Sequence, residues 1–290
     1  MIAPFVALIG AVMYGGADFL GGLAARRFSP IVVTAIASAT GMVLVLALLP
    51  IVGGAASYRD LILGAISGVL GVLSLVLLYG TLAIGPMSIL SPLTAVVSAI
   101  APVLWGLLVK REQLAPIGYL GLATALVAIV LVAFLPGERI VRPRPRGLLM
   151  GVGAGIAIGA FLIVINDTSD NSGLVPLAAN RTVGTILTAI IVITLLILRR
   201  RTRPTPVAAA SGPRNGLMLT IGCGVSDAIA NILILTALRA GDLAVVSALT
   251  ALYPAGTILL AGLVLRERIA AVQWLGLALA LLAGVLLALA

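Results

Sequence analysis

The sequence predicts an all-α membrane protein: ten transmembrane helices, arranged as two inverted five-helix repeats (5+5) around a central cavity. Three observations lead there: the composition, ten apolar runs of bilayer-crossing length, and a long internal repeat. Of 290 residues, 62% are hydrophobic and 9% charged, whereas a soluble chain carries about 25% charged and about 45–50% apolar residues. The net charge of +9 therefore belongs to short water-facing loops and not to a nucleic-acid-binding surface. With no histidine in the chain, His-dependent hydrolases, HExxH metalloproteases and the usual zinc sites are excluded. The lone Cys223 excludes an internal disulfide.

A helix crossing the bilayer core needs roughly 20 mainly apolar residues. Such runs fall at 3–24, 30–50, 60–82, 87–109, 115–135, 147–168, 173–198, 214–239, 242–265 and 271–290. Helix breakers mark the short links between them: Ser29-Pro30, Pro50 with Gly53-Gly54, Gly85-Pro86, Pro136-Gly137, and Pro204 with Pro206. Two links are longer and rich in arginine and proline, Glu138 to Arg146 and Arg199 to Arg214. No separate soluble domain fits between the runs. The first run lacks a basic leader and an Ala-x-Ala-type exit and contains Asp18, so it reads as a retained span and not as a cleaved signal.

The repeat is carried by polar and charged matches at a nearly constant offset. Residues 98–112, SAIAPVLWGLLVKRE, align with 253–267, YPAGTILLAGLVLRE, and both end in Arg-Glu. At the same offset of 155, Tyr119-Leu-Gly-Leu-Ala matches Trp274-Leu-Gly-Leu-Ala. At 156, Ser91-x-Leu-Thr94 matches Ser247-x-Leu-Thr250 and Gly85 faces Gly241, while Gly16-Ala17 pairs more weakly with Gly159-Ala160. An odd number of helices per half makes the second half enter the membrane from the opposite side. The expected units are therefore 1–140 and an inverted 141–290, the arrangement that lets one fold face either way around a midplane site.

Small residues at four-residue spacing, Gly151, Gly155 and Gly159 in the sixth run and Gly64 and Gly68 in the third, form smooth stripes for close helix approach. Packing inside one chain is expected in preference to a homodimer face. Trp105 and Trp274 read as interfacial anchors. Pro92 and Pro102 in the fourth run and Pro254 in the ninth predict kinks, and carbonyls freed in this way are tolerated where they line a cavity or find neighbours.

Three charges lie inside apolar runs: Asp18, Arg181 and Asp227. Each would cost about 2.5–3.5 kcal/mol at a helix centre, so none faces lipid. Asp227 shares a helix face with Asn231, and Tyr14 with Asp18, by four-residue spacing. Ser98 and Tyr253 occupy equivalent repeat positions, and Tyr79 is a further intramembrane phenol. The expected site is a cavity lined by Tyr14, Asp18, Tyr79, Ser98, Asp227, Asn231 and Tyr253, with Arg181 as an available ion-pair partner. There Asp227 or Asp18 would hold a substrate ammonium or a coupling proton. An Asp–Arg or Asp–Asn pair that only fixes the bundle would satisfy the same burial penalty. Asp167, Asp170 and Asn171 follow the sixth run and are expected in a solvated turn. No metal set and no Gly-x-x-x-x-Gly-Lys phosphate loop is present. No cofactor is therefore expected, and any coupling comes from ion or substrate gradients.

Of the 18 Lys and Arg residues, thirteen fall in odd-numbered links (Arg26 and Arg27, Arg139 to Arg146, Arg199 to Arg214, Arg266 and Arg268) and four in even-numbered ones (Arg59, Lys110, Arg111, Arg239). The positive-inside rule then places the odd links in the cytoplasm and both termini outside.

Ten short helices in a 5+5 repeat, with Pro- and Gly-containing fourth and ninth helices ending in Arg-Glu and a following Leu-Gly-x-Ala helix, resemble EamA-type members of the drug/metabolite transporter superfamily, and the amino-acid-exporting branch in particular. The resemblance implies a multi-pass protein of the cell membrane that exports amino acids or similar small metabolites by alternating access, as a uniporter or coupled to protons. Its partners would be a small-molecule substrate and membrane lipids. The resemblance also implies cytoplasmic termini, against the charge count. It implies an arginine in the second helix of each half; Arg181 fits, whereas 34–38 has none. A lipid-linked-sugar flippase, a multidrug exporter and a channel remain alternatives. An intramembrane aspartyl protease is disfavoured, because Gly224-Val-Ser-Asp227 falls one residue short of Gly-x-Gly-Asp and Asp18 lacks a Tyr-Asp context; no enzyme activity is expected.

Overall fold

The computed structural model describes residues 2–25, 27–84, 87–133, 145–201, 213–266 and 269–289. The side chain of Tyr79, Arg26, Gly85-Pro86, Pro136-Gly137, Glu267-Arg268 and most of the two long arginine-rich links lie outside the described residues. Eleven helices follow in order: α1 (Ile2–Ala25), α2 (Pro30–Val52), α3 (Tyr58–Ile84), α4 (Met87–Leu104), α5 (Pro116–Ala133), α6 (Pro145–Asn166), α7 (Val175–Arg201), α8 (Pro213–Ala240), α9 (Leu243–Thr250), α10 (Tyr253–Val264) and α11 (Ala271–Ala288). Eight described stretches are long and apolar enough to cross a membrane, with Leu243–Val264 taken as one, and two shorter apolar stretches, Leu93–Val109 and Pro116–Val132, accompany them. The protein is a multi-pass, all-helical membrane protein among its described residues. Large apolar side chains such as Ile9, Val43, Ile66, Leu149 and Leu281 face outward, and Trp105 and Trp274 are exposed near helix ends.

The prolines act differently in the two expected kinks. α4 runs through Pro92 and Pro102 to Leu104, then loosens into a π-type turn over Trp105–Val109. The ninth run breaks outright. The ring of Pro254 clashes with the carbonyl four residues earlier, so α9 ends at Thr250, and the two-residue turn Ala251-Leu252 re-aims the chain into α10.

Neighbours are set by small residues. α1 packs on α8 and α10, α3 on α6 and α7, α2 on α7 and α8, α4 on α6 and α9, and α5 on α11. Both glycine stripes are used inside the chain: Gly64 and Gly68 face α7 at Pro176 and Asn180, and Gly155 and Gly159 face α4 at Val97 and Ala101. A Cβ on Gly68 would run into the backbone of Asn180, and one on Gly224 into the backbone of Ala37; likewise Gly121 abuts Leu287 and Gly276 abuts Val132.

One end of the bundle is tied by its connections. Ser57 caps α3: its Oγ accepts from the Asp60 N–H at 3.0 Å and donates to Asp60 Oδ2 at 2.7 Å, a Ser-x-x-Asp version of the capping box. The other oxygen of the fully buried Asp60 accepts from the Ser169 N–H at 2.8 Å, in the α6–α7 connection. Arg239, at the end of α8, donates to Ser172 Oγ and to the Gly173 carbonyl, both at 2.8 Å. Gly53, Gly54 and Gly173 have φ of 72°, 143° and 52°, a region open to glycine at little steric cost. This lets the two connections lie back to back, with Ala55 N–H on the Asn171 carbonyl at 2.8 Å and Leu174 N–H on the Gly53 carbonyl at 3.3 Å. Asp167 takes Arg59 at 3.0 Å and Lys110 at 3.3 Å; it, Asp170 and Asn171 are exposed, as a solvated turn requires. Glu112 folds back over Gly106 and accepts from the first two N–H groups of α9, Leu243 and Ala244, each at 2.9 Å.

Candidate functional site

A cavity with an empty volume of about 1050 Å³, counted to its open side, lies where α1, α2, α3, α6, α7, α8 and the α9–α10 break converge. Each polar side chain reaches it for a local reason. Tyr14 and Asp18 are one turn apart on α1, and Asp227 and Asn231 one turn apart on α8. Thr250 and Tyr253 flank the break, so the Pro254-imposed turn is what presents both to the cavity. α1 can cross close to this turn because residue 15 is glycine: a Cβ there would meet the backbone of Tyr253 and Thr257 within 2.6 Å.

Arg181 comes from α7 and reaches past α2. Its Nη1 passes Gly41, where a Cβ would sit 3.4 Å away, and α2 nestles on α8 at Gly224. Room made by these two glycines brings the guanidinium to Asp227 on α8, with Nη1 donating to Oδ2 at 2.5 Å and Nη2 to the Asp227 carbonyl at 3.3 Å. Asn231 Nδ2 donates to the same carbonyl at 2.8 Å and to Oδ1 at 3.4 Å, and Tyr14 Oη donates to Asn231 Oδ1 at 2.8 Å. A chain Tyr14–Asn231–Asp227–Arg181 thus ties α1, α8 and α7. The Arg181 side chain is 10% exposed and that of Asp227 31%, so the acid is the water-facing member of the pair. Arg181 Nε is buried without a partner.

Asp18 differs from Asp227. It is exposed to the cavity, and among the described residues it has no hydrogen bond or ion pair. It shares the cavity lining with Tyr14, Tyr253, Phe161 and Gly71.

Six of the sequence-derived residues are brought together here: Tyr14, Asp18, Asp227, Asn231, Tyr253 and Arg181. Ser98 is not among the described lining residues. It is buried, and its hydroxyl donates to the Ala95 carbonyl at 2.8 Å. The equivalence with Tyr253 fails to carry it into the cavity because α4 is continuous where the ninth run is broken. The Tyr79 side chain lies outside the described residues. Sequence reasoning missed Asn180, which lines the cavity while its Nδ2 holds Ser67 Oγ at 2.9 Å; an amide inside an apolar run next to Arg181 was signal enough. It also missed Asp60, although Ser57-x-x-Asp60 is a legible cap. No group of three or more acidic or cysteine residues that could hold a metal ion exists among the described residues.

No curated protein matches the chain. One solved structure, described as "Crystal structure of protein", superposes with a TM-score of 0.77 at 16% identity, covering 99% of this chain and 96% of its own, a likeness that speaks for the fold alone. The model of the EamA-like transporter family matches residues 145–289. With half of its length matched, with helices that can cross a membrane and a cavity among them that holds charged side chains, the chain belongs to the EamA-like transporter family.

Proposed function

We propose that this protein exports amino acids or similar small metabolites by alternating access, as a uniporter or coupled to protons, through ten membrane-crossing helices built as two inverted five-helix repeats, 1–140 and 141–290. The observation that carries the reading is the cavity, in which a partnerless carboxylate, Asp18, and a hydrogen-bonded ion pair, Arg181–Asp227, line a space of small-molecule size within the bundle. Intramembrane ionisable groups that face a cavity mark substrate or ion pathways by default.

Support for the repeat comes from contacts that recur under its offsets. Gly121 meets Leu287 and Gly276 meets Val132, one contact seen twice at an offset of 155. Gly68 meets Asn180 and Gly224 meets Ala37, again a reciprocal pair, at offsets of 156 and 143. Arg111 and Arg266, equivalent in sequence, are the two described non-glycine residues with positive φ, 57° and 56°. The family match, 145–289, coincides with one such unit.

Purified protein in liposomes, loaded with a panel of amino acids and tested with and without a pH gradient, is expected to show saturable counter-flow. Asp18→Asn and Asp227→Asn are expected to lose it or its response to pH. Normal pH-dependent flux in both variants would remove the carboxylates from the mechanism. The charge count places both termini outside, and a C-terminal reporter active only in the cytoplasm would reverse that orientation.

A further inference from the structure

The charges facing the cavity do not cancel. Among the described lining residues only Asp18, Arg181 and Asp227 carry ordinary charges, and the neighbouring stretch 79–92, whose side chains lie outside the described residues, contains no charged residue. Arg181 and Asp227 neutralise each other at 2.5 Å. Asp18 is left over, exposed to the cavity, so with Asp18 ionised the described lining carries one uncompensated negative charge.

A neutral zwitterion fits this site badly. Its ammonium gains Asp18, but its carboxylate finds no free cation. Both terminal nitrogens of Arg181 already donate to Asp227, and Nε is buried. Releasing Arg181 for the substrate would strand Asp227, trading one uncompensated charge for another. A cargo with one excess positive charge meets no such conflict. Its extra ammonium neutralises Asp18, and the phenol rings of Tyr14 and Tyr253, which line the same cavity, offer the electron-rich faces that attract ammonium groups.

Resting on the transporter reading above, we propose that the cavity selects cargo of net positive charge, a basic amino acid or a diamine of similar length, by seating an ammonium on Asp18. Arg181–Asp227 is then a permanently neutral wall and not the carboxylate-binding half of a zwitterion site.

The test is counter-flow in liposomes with four labelled probes: lysine, cadaverine (lysine without its carboxylate), norleucine (lysine with its side-chain ammonium replaced by hydrogen) and glutamate. Lysine and cadaverine are expected to exchange at least tenfold faster than norleucine and glutamate. Asp18→Asn is expected to bring that ratio to about one, and Asp18→Glu to retain it; an unchanged melting profile for both variants separates this from misfolding. Norleucine exchange at the lysine rate, or a preference that survives in Asp18→Asn, overturns the charge selection and leaves the transporter reading intact. Exchange of none of the four probes overturns both.

Discussion

In the proposed two-repeat arrangement, the two halves of the chain line the cavity from matching positions with different chemistry. At an offset of 143, Asp18 corresponds to Phe161 and Ser38 to Arg181; at 156, Gly71 corresponds to Asp227 and Leu75 to Asn231. All eight residues line the cavity. The glycine contacts that set helix spacing recur in both halves, whereas the polar side chains almost never do. Backbone packing tolerates duplication because a close helix crossing needs only the absence of a side chain. A binding site cannot be duplicated so freely, because a mirrored Asp18 would double the uncompensated charge and a mirrored Arg181–Asp227 pair would fill the space. On the proposed reading, the shared fold is the scaffold and cargo is chosen by its departures from symmetry.

Five variants probe that contrast, and the effects of the four single substitutions on stability are expected to fall in the order given. Arg181→Ala strands Asp227 and should destabilise the protein by about 3–5 kcal/mol, near the lower end because Asp227 is partly wetted. Giving the second wall the residues of the first, Arg181→Ser with Asp227→Gly, should recover much of that loss in detergent melting curves, since no lone charge remains; a double variant as unstable as the single one would show the pair to be worth more than its charges. Asp60→Ala removes bonds to a buried carboxylate at the tied end and should cost about 2–3 kcal/mol, with transport KM unchanged. Asn231→Leu copies Leu75 and should cost about 1–2 kcal/mol through the lost Tyr14 and Asp227 bonds. Asp18→Asn should move stability by no more than about 0.5 kcal/mol yet remove the preference for cationic cargo in counter-flow. A large loss of stability there would make Asp18 a structural residue.

Element limits were legible because apolar length and breakers fix where a helix can leave a bilayer; Pro30 and Gly53 fall at or beside observed ends. Most of the cavity was legible too, since a charge inside an apolar run must find a polar interior, and this located Asp18, Arg181 and Asp227 without any geometry. What could not be read is which carboxylate is satisfied. Asp227 and Asp18 carry the same penalty in sequence, and only the geometry shows that Arg181 reaches Asp227. Ser98 went astray because sequence equivalence does not say which of two proline-bearing runs will break. Asp60 and Arg239 stand at helix ends, where a charge looks solvated; their burial depends on the α6–α7 connection folding over them.

That connection is held to the α2–α3 turn by main-chain bonds, Ala55 to Asn171 and Leu174 to Gly53. Such bonds have no side chain to lose. Ala55 and Asn171 are free to vary in evolution without loosening this end, while Gly54 and Gly173 are not, because a methyl group on either would land in the opposing backbone. Variation among close relatives should therefore be permissive at Ala55 and Asn171 and restrictive in the glycines beside them, the reverse of what a map of side-chain interactions would suggest.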